Sequence, residues 1–391
     1  MVSWGCVARL NRQAAVAHSL SDDQVRLLRL RAQQLHSRRA RSVTSVRQVV
    51  KDLCGAQAQD ASAAALAVRA RCAGIVASDV EDARVQERSV VRTWCMRGTL
   101  HLLATEDLGW LLSLLGPVFV RSGRRRRTEL GLDEDTCKRG VRVIRDALTN
   151  RGPLTRAEIA GQLAARRIRT AGQATVHLIG LAALEGVICY GPNHGREPTY
   201  VALADWIGQL PALSQEKALA ELARRYLMAY GPATPEDLAA WSGLPLGEVR
   251  AAWQQITAQL IEVKIGDYSA WMLKTRARWL DRTPARRPIV RLLPSYDTYL
   301  LGYRSRDLAL APKHAKRIHP GGGLLRPALL ADGKVIGAWN IQRRRDRVDV
   351  MVKPFEDLTP NAQRELEVEV KDLAHFLGVE AELKVLMHGI A

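Results

Sequence analysis

The sequence predicts an α+β protein in which tandem winged-helix domains are followed by a small C-terminal β-barrel with a covering helix. Three observations indicate this fold class. The pattern of residues 152–160 returns at residues 231–239, and each copy is followed by the pattern of a helix and a β-hairpin. Beyond about residue 284, short apolar runs alternate with turn signals, which is typical of strands.

Composition limits the class of protein. The chain has 391 residues, of which 47% are hydrophobic, so several domains are expected and a disordered protein is excluded. The formal net charge is +18, with arginine clusters at residues 38–41, 121–127 and 343–347. This excess favours a polyanionic partner, and solvated charged faces in an arginine-rich protein are the alternative.

Targeting and redox signals are weak in this sequence. No apolar run reaches the roughly 20 residues of a membrane span, and Arg9 and Arg12 stand where a signal peptide would be apolar. The six cysteines are far apart and form no Cys-x-x-Cys pair. We therefore expect a cytoplasmic protein with no membrane association, whose cysteines are small buried side chains.

The two repeats carry clear helix signals. A Gly-Pro pair ends a helix in each copy, Thr155 with Glu158 forms a capping box, and Thr234 followed by Pro235 is an equally good helix start. The order helix, helix, helix, hairpin is that of a winged helix, whose third helix can enter the DNA major groove. The predicted elements are 135–150, 171–185, 187–190 and 199–203 in the first copy, and 216–230, 246–259, 261–264 and 268–273 in the second.

The N-terminal region has the pattern of a third, degenerate copy. Two apolar strands flank a tight turn at Arg97-Gly98, and a new helix begins at Thr105. The predicted helices are 25–38, 45–53 and 61–71, and the predicted strands are 90–96 and 100–104.

The C-terminal region follows a linker at residues 282–288 that is rich in proline and arginine. Its predicted strands are 289–293, 299–303, 325–330, 335–340 and 348–352, with a helix over 361–377. A small β-barrel or a curled sheet with one covering helix fits this pattern. The chain is thus divided into an N-terminal segment without a clear element (1–20), a first winged-helix-like domain (21–130), two winged helices (131–206 and 207–283) and the barrel (284–391).

Familiar catalytic signatures are missing from the sequence. It contains no phosphate-binding loop, no metal-binding His/Cys spacing and no nucleophile elbow, so we expect neither a metal nor a cofactor. One polar pair stands out. Gln57 and Gln59 would point to the same side of an extended chain but to nearly opposite sides of a helix. By spacing alone, an ordinary alanine-rich helix is the commoner interpretation.

Four segments together resemble one family. They are Gly55-Ala56-Gln57-Ala58-Gln59-Asp60, the hairpin at 92–102, the block at 293–303 and the run at 326–337. In this order they resemble the AlkZ-type DNA glycosylases, over about residues 22 to 388. A sister branch, the YcaQ type, carries Gln-x-Asp, so Gln59 makes this chain similar to the glutamine branch.

The resemblance implies an enzyme of base excision repair that hydrolyses the N-glycosidic bond of alkylated purines such as N7-alkylguanine. It also implies a fold of tandem winged helices plus a β-barrel. Some members of the family act on bulky adducts or interstrand cross-links and protect antibiotic producers from their own genotoxins. We therefore expect a monomer that binds double-stranded DNA carrying alkylated purines.

Gln57 and Gln59 are the catalytic candidates, although an amide has no useful pKa for a general base. An N7-alkylguanine is already cationic and leaves as a neutral base, so little acid assistance is needed. What remains is to place a water molecule at the sugar C1′ and to face the developing cation with negative dipoles. Two carboxamide oxygens can do both.

The DNA-binding candidates are basic residues and one histidine. Arg97 at the hairpin tip is expected to reach a phosphate or the minor groove, and His101 to lie near the lesion. A turn arginine and a hydrogen-bonded histidine of no direct function are the alternatives. A run of four arginines is expected to touch phosphates, or to be a solvated helix face: Arg124, Arg125, Arg126 and Arg127.

The candidates for the wall of the cleft are Asp60, Tyr296, Asp297 and Tyr303. For the last three, a structural role in the barrel is equally open. Two other functions remain open as well: a winged-helix transcription regulator without catalysis, and a damage-binding protein that has lost activity. Sequence-selective binding to undamaged DNA would favour the regulator.

Overall fold

The computed structural model describes residues 18–41, 44–209, 213–281 and 287–386. Within these ranges the chain is a mixed α/β protein with five small sheets. Most of the predicted N-terminal segment 1–20, and residues 282–286 of the predicted linker, lie outside the described residues.

The N-terminal region consists of short helices around two small sheets and ends in a long helix. β3, β6 and β5 form an antiparallel sheet in that order, and β2 pairs with β4 in parallel. The elements are β1 (His18–Leu20), α1 (Asp22–Ala32), β2 (Arg39–Ala40), α2 (Val46–Asp52), β3 (Ala56–Gln57), α3 (Ala61–Arg69), β4 (Cys72–Ala73), α4 (Ala77–Val85), β5 (Val90–Trp94), β6 (Leu100–Ala104), α5 (Thr105–Ser122) and α6 (Arg124–Glu129).

Most of the predicted N-terminal elements are present, with two differences. The predicted first helix, 25–38, is shorter, because α1 ends at Ala32 and Gln34 takes a left-handed backbone with φ 59°. Helix α4 was not predicted, since its polar sequence lacks a clear apolar stripe.

The middle region contains both repeats. Each has the predicted order of three helices followed by a hairpin, and the capping box of Thr155 and Glu158 is confirmed. The sheets run in the orders β7-β9-β8 and β1-β10-β11, so the N-terminal strand joins the second repeat in parallel. The elements are α7 (Glu134–Arg151), β7 (Leu154–Thr155), α8 (Arg156–Ala165), α9 (Ala174–Leu184), β8 (Ile188–His194), β9 (Glu197–Ala202), α10 (Leu203–Ile207), α11 (Gln215–Tyr230), α12 (Pro235–Ser242), α13 (Leu246–Ile256), β10 (Leu260–Ile265) and β11 (Tyr268–Leu273).

The C-terminal region is a curled, open five-stranded sheet with one covering helix, so the curled sheet is confirmed and the barrel is not closed. The strand order is β12-β13-β14-β15-β16. Leu366 and Leu373 of α16 are buried in the core with the strands, so the helix covers the sheet face that closure would otherwise protect. The elements are β12 (Val290–Leu293), α14 (Thr298–Leu301), α15 (Ala315–Ile318), β13 (Ala328–Ala331), β14 (Lys334–Arg343), β15 (Arg347–Pro354), α16 (Pro360–Leu377) and β16 (Glu380–Val385).

The predicted strand at 299–303 is wrong. Its first part is the short helix α14, because Asp297 accepts a hydrogen bond from the Tyr299 amide at 2.8 Å and caps a helical turn. An apolar and aromatic run of this length has no periodicity that separates a buried strand from a buried helical turn.

Two buried arginines tie the end of α3 to the C-terminal region. Arg71 donates through both terminal nitrogens to the Asp297 carboxylate, at 2.8 Å each, and both side chains are completely buried. Arg69 donates to Asp372 at 2.7 Å and to the Leu292 carbonyl at 3.1 Å. The helix that follows the Gln-Ala-Gln segment is therefore fixed at its far end by charge-assisted hydrogen bonds.

The Arg71–Asp297 pair predicts a large stability effect. Replacing Asp297→Asn leaves the Arg71 charge buried without a carboxylate, so we expect the free energy of unfolding to fall by about 3–5 kcal/mol. Glu236→Gln, which breaks the more exposed pair with Arg250, should cost about 1 kcal/mol or less. Urea denaturation measures both, and equal losses in the two variants would contradict the anchoring role.

Candidate active site

The segment that carries the two glutamines is extended rather than helical. β3 pairs with β6, with Gln57 opposite His101, and the Ala58 amide donates to a β6 carbonyl at 2.7 Å. Ala56 and Ala58 are fully buried, Gln57 is half-buried and Gln59 is exposed. Because side chains alternate along an extended chain, Gln57 projects away from the side that the alanines fill, and the exposed Gln59 follows in a bend before the next helix.

Gly55 allows the chain to enter β3 at this depth. Its φ is +108°, and a Cβ at this position would lie 2.7 Å from Leu103 and 2.8 Å from Met96. A larger residue would therefore be strained and would also collide with the neighbouring strand and turn. The backbone conformation requires the glycine of this motif, and any larger residue would also have to displace the ends of the Leu103 and Met96 side chains.

Arg97 lies in a short 3-10 turn at the tip of the β5–β6 hairpin, and its side chain turns inward. Its Nη2 donates to Gln57 Oε1 at 2.6 Å, and its Nη1 donates to the Trp241 carbonyl of α12. Burial lowers the pKa of Arg97, although a guanidinium remains protonated at neutral pH. Arg97 therefore orients Gln57 and is not the exposed DNA contact that the sequence predicts.

His101 of β6 is the strand partner of Gln57 and is 1% exposed. Its Nδ1 is 3.0 Å from the Thr99 carbonyl. Burial, reinforced by the charge of Arg97, lowers the pKa of His101 to about 3. The imidazole is therefore neutral, donates from Nδ1 and supports the strand. The structure favours the hydrogen-bonded alternative over a position in contact with the lesion.

Asp60 ends the extended segment and begins α3. Its Oδ1 accepts from the Ser62 amide at 2.8 Å, the Ser62 hydroxyl at 2.6 Å and the Ala63 amide at 3.2 Å. Burial raises the pKa of Asp60, but these hydrogen bonds outweigh it and the net shift is downward. The carboxylate is ionised and acts as the helix cap next to Gln59.

Arg92 reaches the glutamine segment from β5. Its Nε donates to the Ala58 carbonyl at 3.0 Å, and its Nη2 donates to the Gln59 carbonyl at 3.3 Å. The guanidinium also lies 4.4 Å from the ring centroid of Tyr190, in β8 of the first repeat. The sequence alone does not predict a role for Arg92. A single charged residue in the apolar strand Val90–Trp94 was the available signal.

The arginine run on α6 is only partly exposed. The side chains of Arg124, Arg125 and Arg126 are 75%, 92% and 49% exposed, and each forms an ion pair with a nearby glutamate. Arg127 is buried and donates to the Val120 carbonyl at 2.6 Å. Arg127 is thus a structural residue and not a phosphate contact, whereas the other three remain accessible to DNA.

The predicted cleft wall in the C-terminal region is not supported for two of its three residues. Asp297 is 1% exposed and holds Arg71, and Tyr303 is 7% exposed and donates to the Tyr230 carbonyl at 3.0 Å. Tyr296 is partly buried against the hydrophobic core of the C-terminal region. Asp297 and Tyr303 have the structural role that the sequence left open, whereas Tyr296 is partly exposed and stays a candidate for the wall of the cleft.

The remaining features of the described residues concern metal sites, membrane spans and cysteines. Among them, no group of three His, Cys, Asp or Glu side chains has the arrangement of a metal site. No helix in the described ranges is both long enough and apolar enough to cross a membrane. The five described cysteines are free and buried: Cys54, Cys72, Cys95, Cys137 and Cys189.

Comparison with known proteins agrees with the resemblance. The family model of the AlkZ-like DNA glycosylases matches residues 50–376. The chain is 31% identical over 358 residues to an interstrand DNA cross-link repair glycosylase of Streptomyces sahachiroi, covering 87% of this chain and 92% of that protein. The solved structure of the DNA glycosylase AlkZ from the same organism matches with a TM-score of 0.79 and 28% identity, over 94% of this chain and all of that one.

These findings define an enzyme that acts on DNA, a DNA glycosylase. Within that class the chain belongs to the AlkZ-like DNA glycosylase family. The predicted family is confirmed, and an enzyme is favoured over the non-catalytic regulator that the sequence left open.

The neutral state of His101 predicts a pH-dependent stability. Its folded pKa is lowered from 6.5 to about 3, so its contribution is fully present above the unfolded pKa and is lost as the pH falls. Between about pH 6.5 and pH 5, wild type should lose up to about 1.4 kcal/mol per pH unit more than His101→Gln. Urea unfolding at several pH values measures the difference, and a constant difference would contradict a buried neutral imidazole.

Proposed function

We propose that this chain is a monofunctional DNA glycosylase that hydrolyses the N-glycosidic bond of cationic alkylpurines, with Gln57 and Gln59 holding the attacking water. The observation that carries the proposal is the non-helical backbone of this segment. Strand β3 turns Gln57 away from the buried alanines, and Gln59 is exposed two residues further on, beside the Asp60 helix cap. Among the described residues, the Gln59 carboxamide has no hydrogen-bond partner and is therefore available to a substrate or a water.

The chemistry requires little from the protein. In an N7-alkylguanine the base carries the positive charge, so breaking the bond from N9 to C1′ returns the electron pair to the base and neutralises it. The charge passes to the sugar as an oxocarbenium ion, a water oxygen bonds to C1′ and its proton leaves to solvent. The carboxamide oxygens accept from that water and face the cation with their negative ends.

Arg97 refines the role of Gln57. A guanidinium only donates, so the Gln57 atom at 2.6 Å from Arg97 must be the carbonyl oxygen. One lone pair of this oxygen is occupied and the other remains for the water. The same contact fixes the carboxamide in one orientation, which removes a rotation that would otherwise have to be frozen during the reaction.

A β-lyase step is not part of the proposal. Lys51, the lysine nearest to the pair in sequence, is bound to Glu106 at 2.9 Å, and Arg47 shares that carboxylate at 2.5 Å. Schiff-base chemistry needs a desolvated, uncharged lysine, and this ion pair stabilises the charged form instead. Hydrolysis would therefore leave an abasic site.

The proposed binding mode places the duplex against tandem winged helices. The helix–helix–helix–hairpin order of both repeats supports this assignment, with α9 and α13 as the third helices. Extruding a nucleotide into a closed pocket would limit lesion size. Because Gln57 lies on the edge strand β3 and Gln59 is exposed, we propose that bulky adducts and interstrand cross-links are tolerated. The Streptomyces sahachiroi relative is an interstrand DNA cross-link repair glycosylase. We also propose that the protein is a cytoplasmic monomer that contributes to base excision repair and to antibiotic self-resistance.

The proposed reaction predicts selectivity for charged lesions. Incubation with DNA treated with a methylating agent should release free N7-methylguanine and leave heat-labile abasic sites, because the leaving group is cationic. A duplex containing uracil, which is neutral, should not be cleaved at a comparable rate. Chromatography of the released bases measures both. Release of uracil at a comparable rate would contradict the mechanism, and release of neither base would favour a damage-binding protein.

The exposed arginines of α6 predict a salt effect on DNA binding. If Arg125 contacts a phosphate, Arg125→Gln should flatten the slope of log affinity against log salt concentration by about 0.9. Arg364→Gln, at an exposed position of α16, removes the same charge elsewhere and serves as the control. Fluorescence anisotropy over a salt series gives the slopes, and identical slopes in both variants would identify α6 as a solvated helix face.

A further inference from the structure

We infer that Arg92 is a positioning residue that fixes the backbone on both sides of Gln59 and thereby aims its carboxamide. The inference rests on the proposed function, because it assigns Arg92 a role through Gln59. The contacts of Arg92 are to the backbone of this segment and to an aromatic ring, not to the Gln59 carboxamide.

The two carbonyls that Arg92 holds belong to consecutive peptide groups. The Ala58 carbonyl lies in the plane between residues 58 and 59, and the Gln59 carbonyl lies in the plane between residues 59 and 60. Peptide groups are planar, so only φ and ψ of Gln59 relate these two planes. A rigid guanidinium that binds both carbonyls therefore restrains both angles, and with them the direction of the bond from Cα to Cβ.

No other described contact restrains this part of the backbone in the same way. The pairing of β3 with β6 ends at Gln57, followed by one more bond from the Ala58 amide at 2.7 Å. Helix α3 begins only after Asp60. Gln59 thus lies in a short gap between strand and helix, and Arg92 bridges that gap from β5, the strand beyond β6 in the sheet.

Arg92 is itself held by the first repeat. Its guanidinium lies 4.4 Å from the ring centroid of Tyr190, and that ring stacks on Trp94 with centroids 5.6 Å apart. The Tyr200 hydroxyl donates to the Tyr190 hydroxyl at 3.3 Å. The β8–β9 hairpin therefore sets the position of the Arg92 guanidinium, and through it the backbone of Gln59.

The Arg92 guanidinium can be removed without leaving a buried carbonyl that lacks a hydrogen-bond partner. A cavity of about 260 Å³ opens beside it, lined in part by Ala58, Arg92 and Tyr190. In a variant that lacks the guanidinium, water can reach the released carbonyls through this cavity. The expected loss is therefore of orientation at Gln59 rather than of the fold.

The test is a double-mutant cycle on single-turnover release of N7-methylguanine, with DNA affinity and melting temperature recorded for each variant. Arg92→Met should slow base release on the order of 10- to 100-fold, the cost of a misplaced catalytic group, with DNA affinity unchanged. In the Gln59→Ala background, Arg92→Met should have no further effect, because the group that it positions is already gone. A structural role would instead add its full effect in that background and lower the melting temperature.

Two further variants sharpen the result. Arg88 also stacks on an aromatic ring, Trp206, and donates to a carbonyl at 3.0 Å, yet it does not touch the glutamine segment, so Arg88→Met should release base at the wild-type rate. Arg92→Lys keeps the charge but reaches one carbonyl at a time, so we expect an intermediate rate. A wild-type rate in Arg92→Lys, or equal rates in Arg92→Met and Arg88→Met, would overturn the inference.

The cycle also separates this inference from the proposed function. A slow Gln59→Ala variant with a normal Arg92→Met variant overturns the role of Arg92 alone. A Gln59→Ala variant that releases base at the wild-type rate overturns the proposed function and the role of Arg92 together.

Discussion

The pairing of β3 with β6 is the constraint on which the candidate site depends. It is short, yet it makes the backbone around Gln57 extended and turns Ala56 and Ala58 into the core. Alternation then projects Gln57 to the other side, and Gln59 follows in the exposed bend before α3. Gly55 permits the close approach at one end, and the Asp60 cap begins a helix at the other. The same Gln-Ala-Gln residues in a helix would have separated the two carboxamides, and a joint role in holding one water would have been impossible.

Arginines organise this site from within the protein. Arg97 binds the side chain of Gln57, and Arg92 binds the backbone beside Gln59. Arg69 and Arg71 fix the far end of the helix that follows. A guanidinium suits this work because it stays charged and donates in several directions. The positive charge of the chain is therefore not simply a measure of its DNA-binding surface, since several of these cations are engaged by carbonyls and carboxylates in the interior.

The sequence predicted the features that local patterns determine. The repeats, the capping box at Thr155 and the β5–β6 hairpin follow from residue type and spacing, and all are present. It did not predict what depends on distant contacts. Nothing local shows that Asp297 caps a helical turn and holds Arg71, or that Arg97 turns inward to meet Gln57 and α12. Four successive arginines look alike in the sequence, so their pattern could not predict that Arg127 is buried. The glutamine pair itself was identified only in the company of the family's other segments, because its spacing alone favours an ordinary alanine-rich helix.

The most direct test of the central claim is the single-turnover rate of N7-methylguanine release by Gln57→Ala and Gln59→Ala, measured together with their affinity for the same duplex. Gln86→Ala, which removes an exposed glutamine of the same region, is the matched control. If two neutral side chains aim the attacking water, each variant should release the base far more slowly than wild type while binding the duplex as tightly, and the control should be unaffected. Wild-type release by both alanine variants would show that the water is held elsewhere.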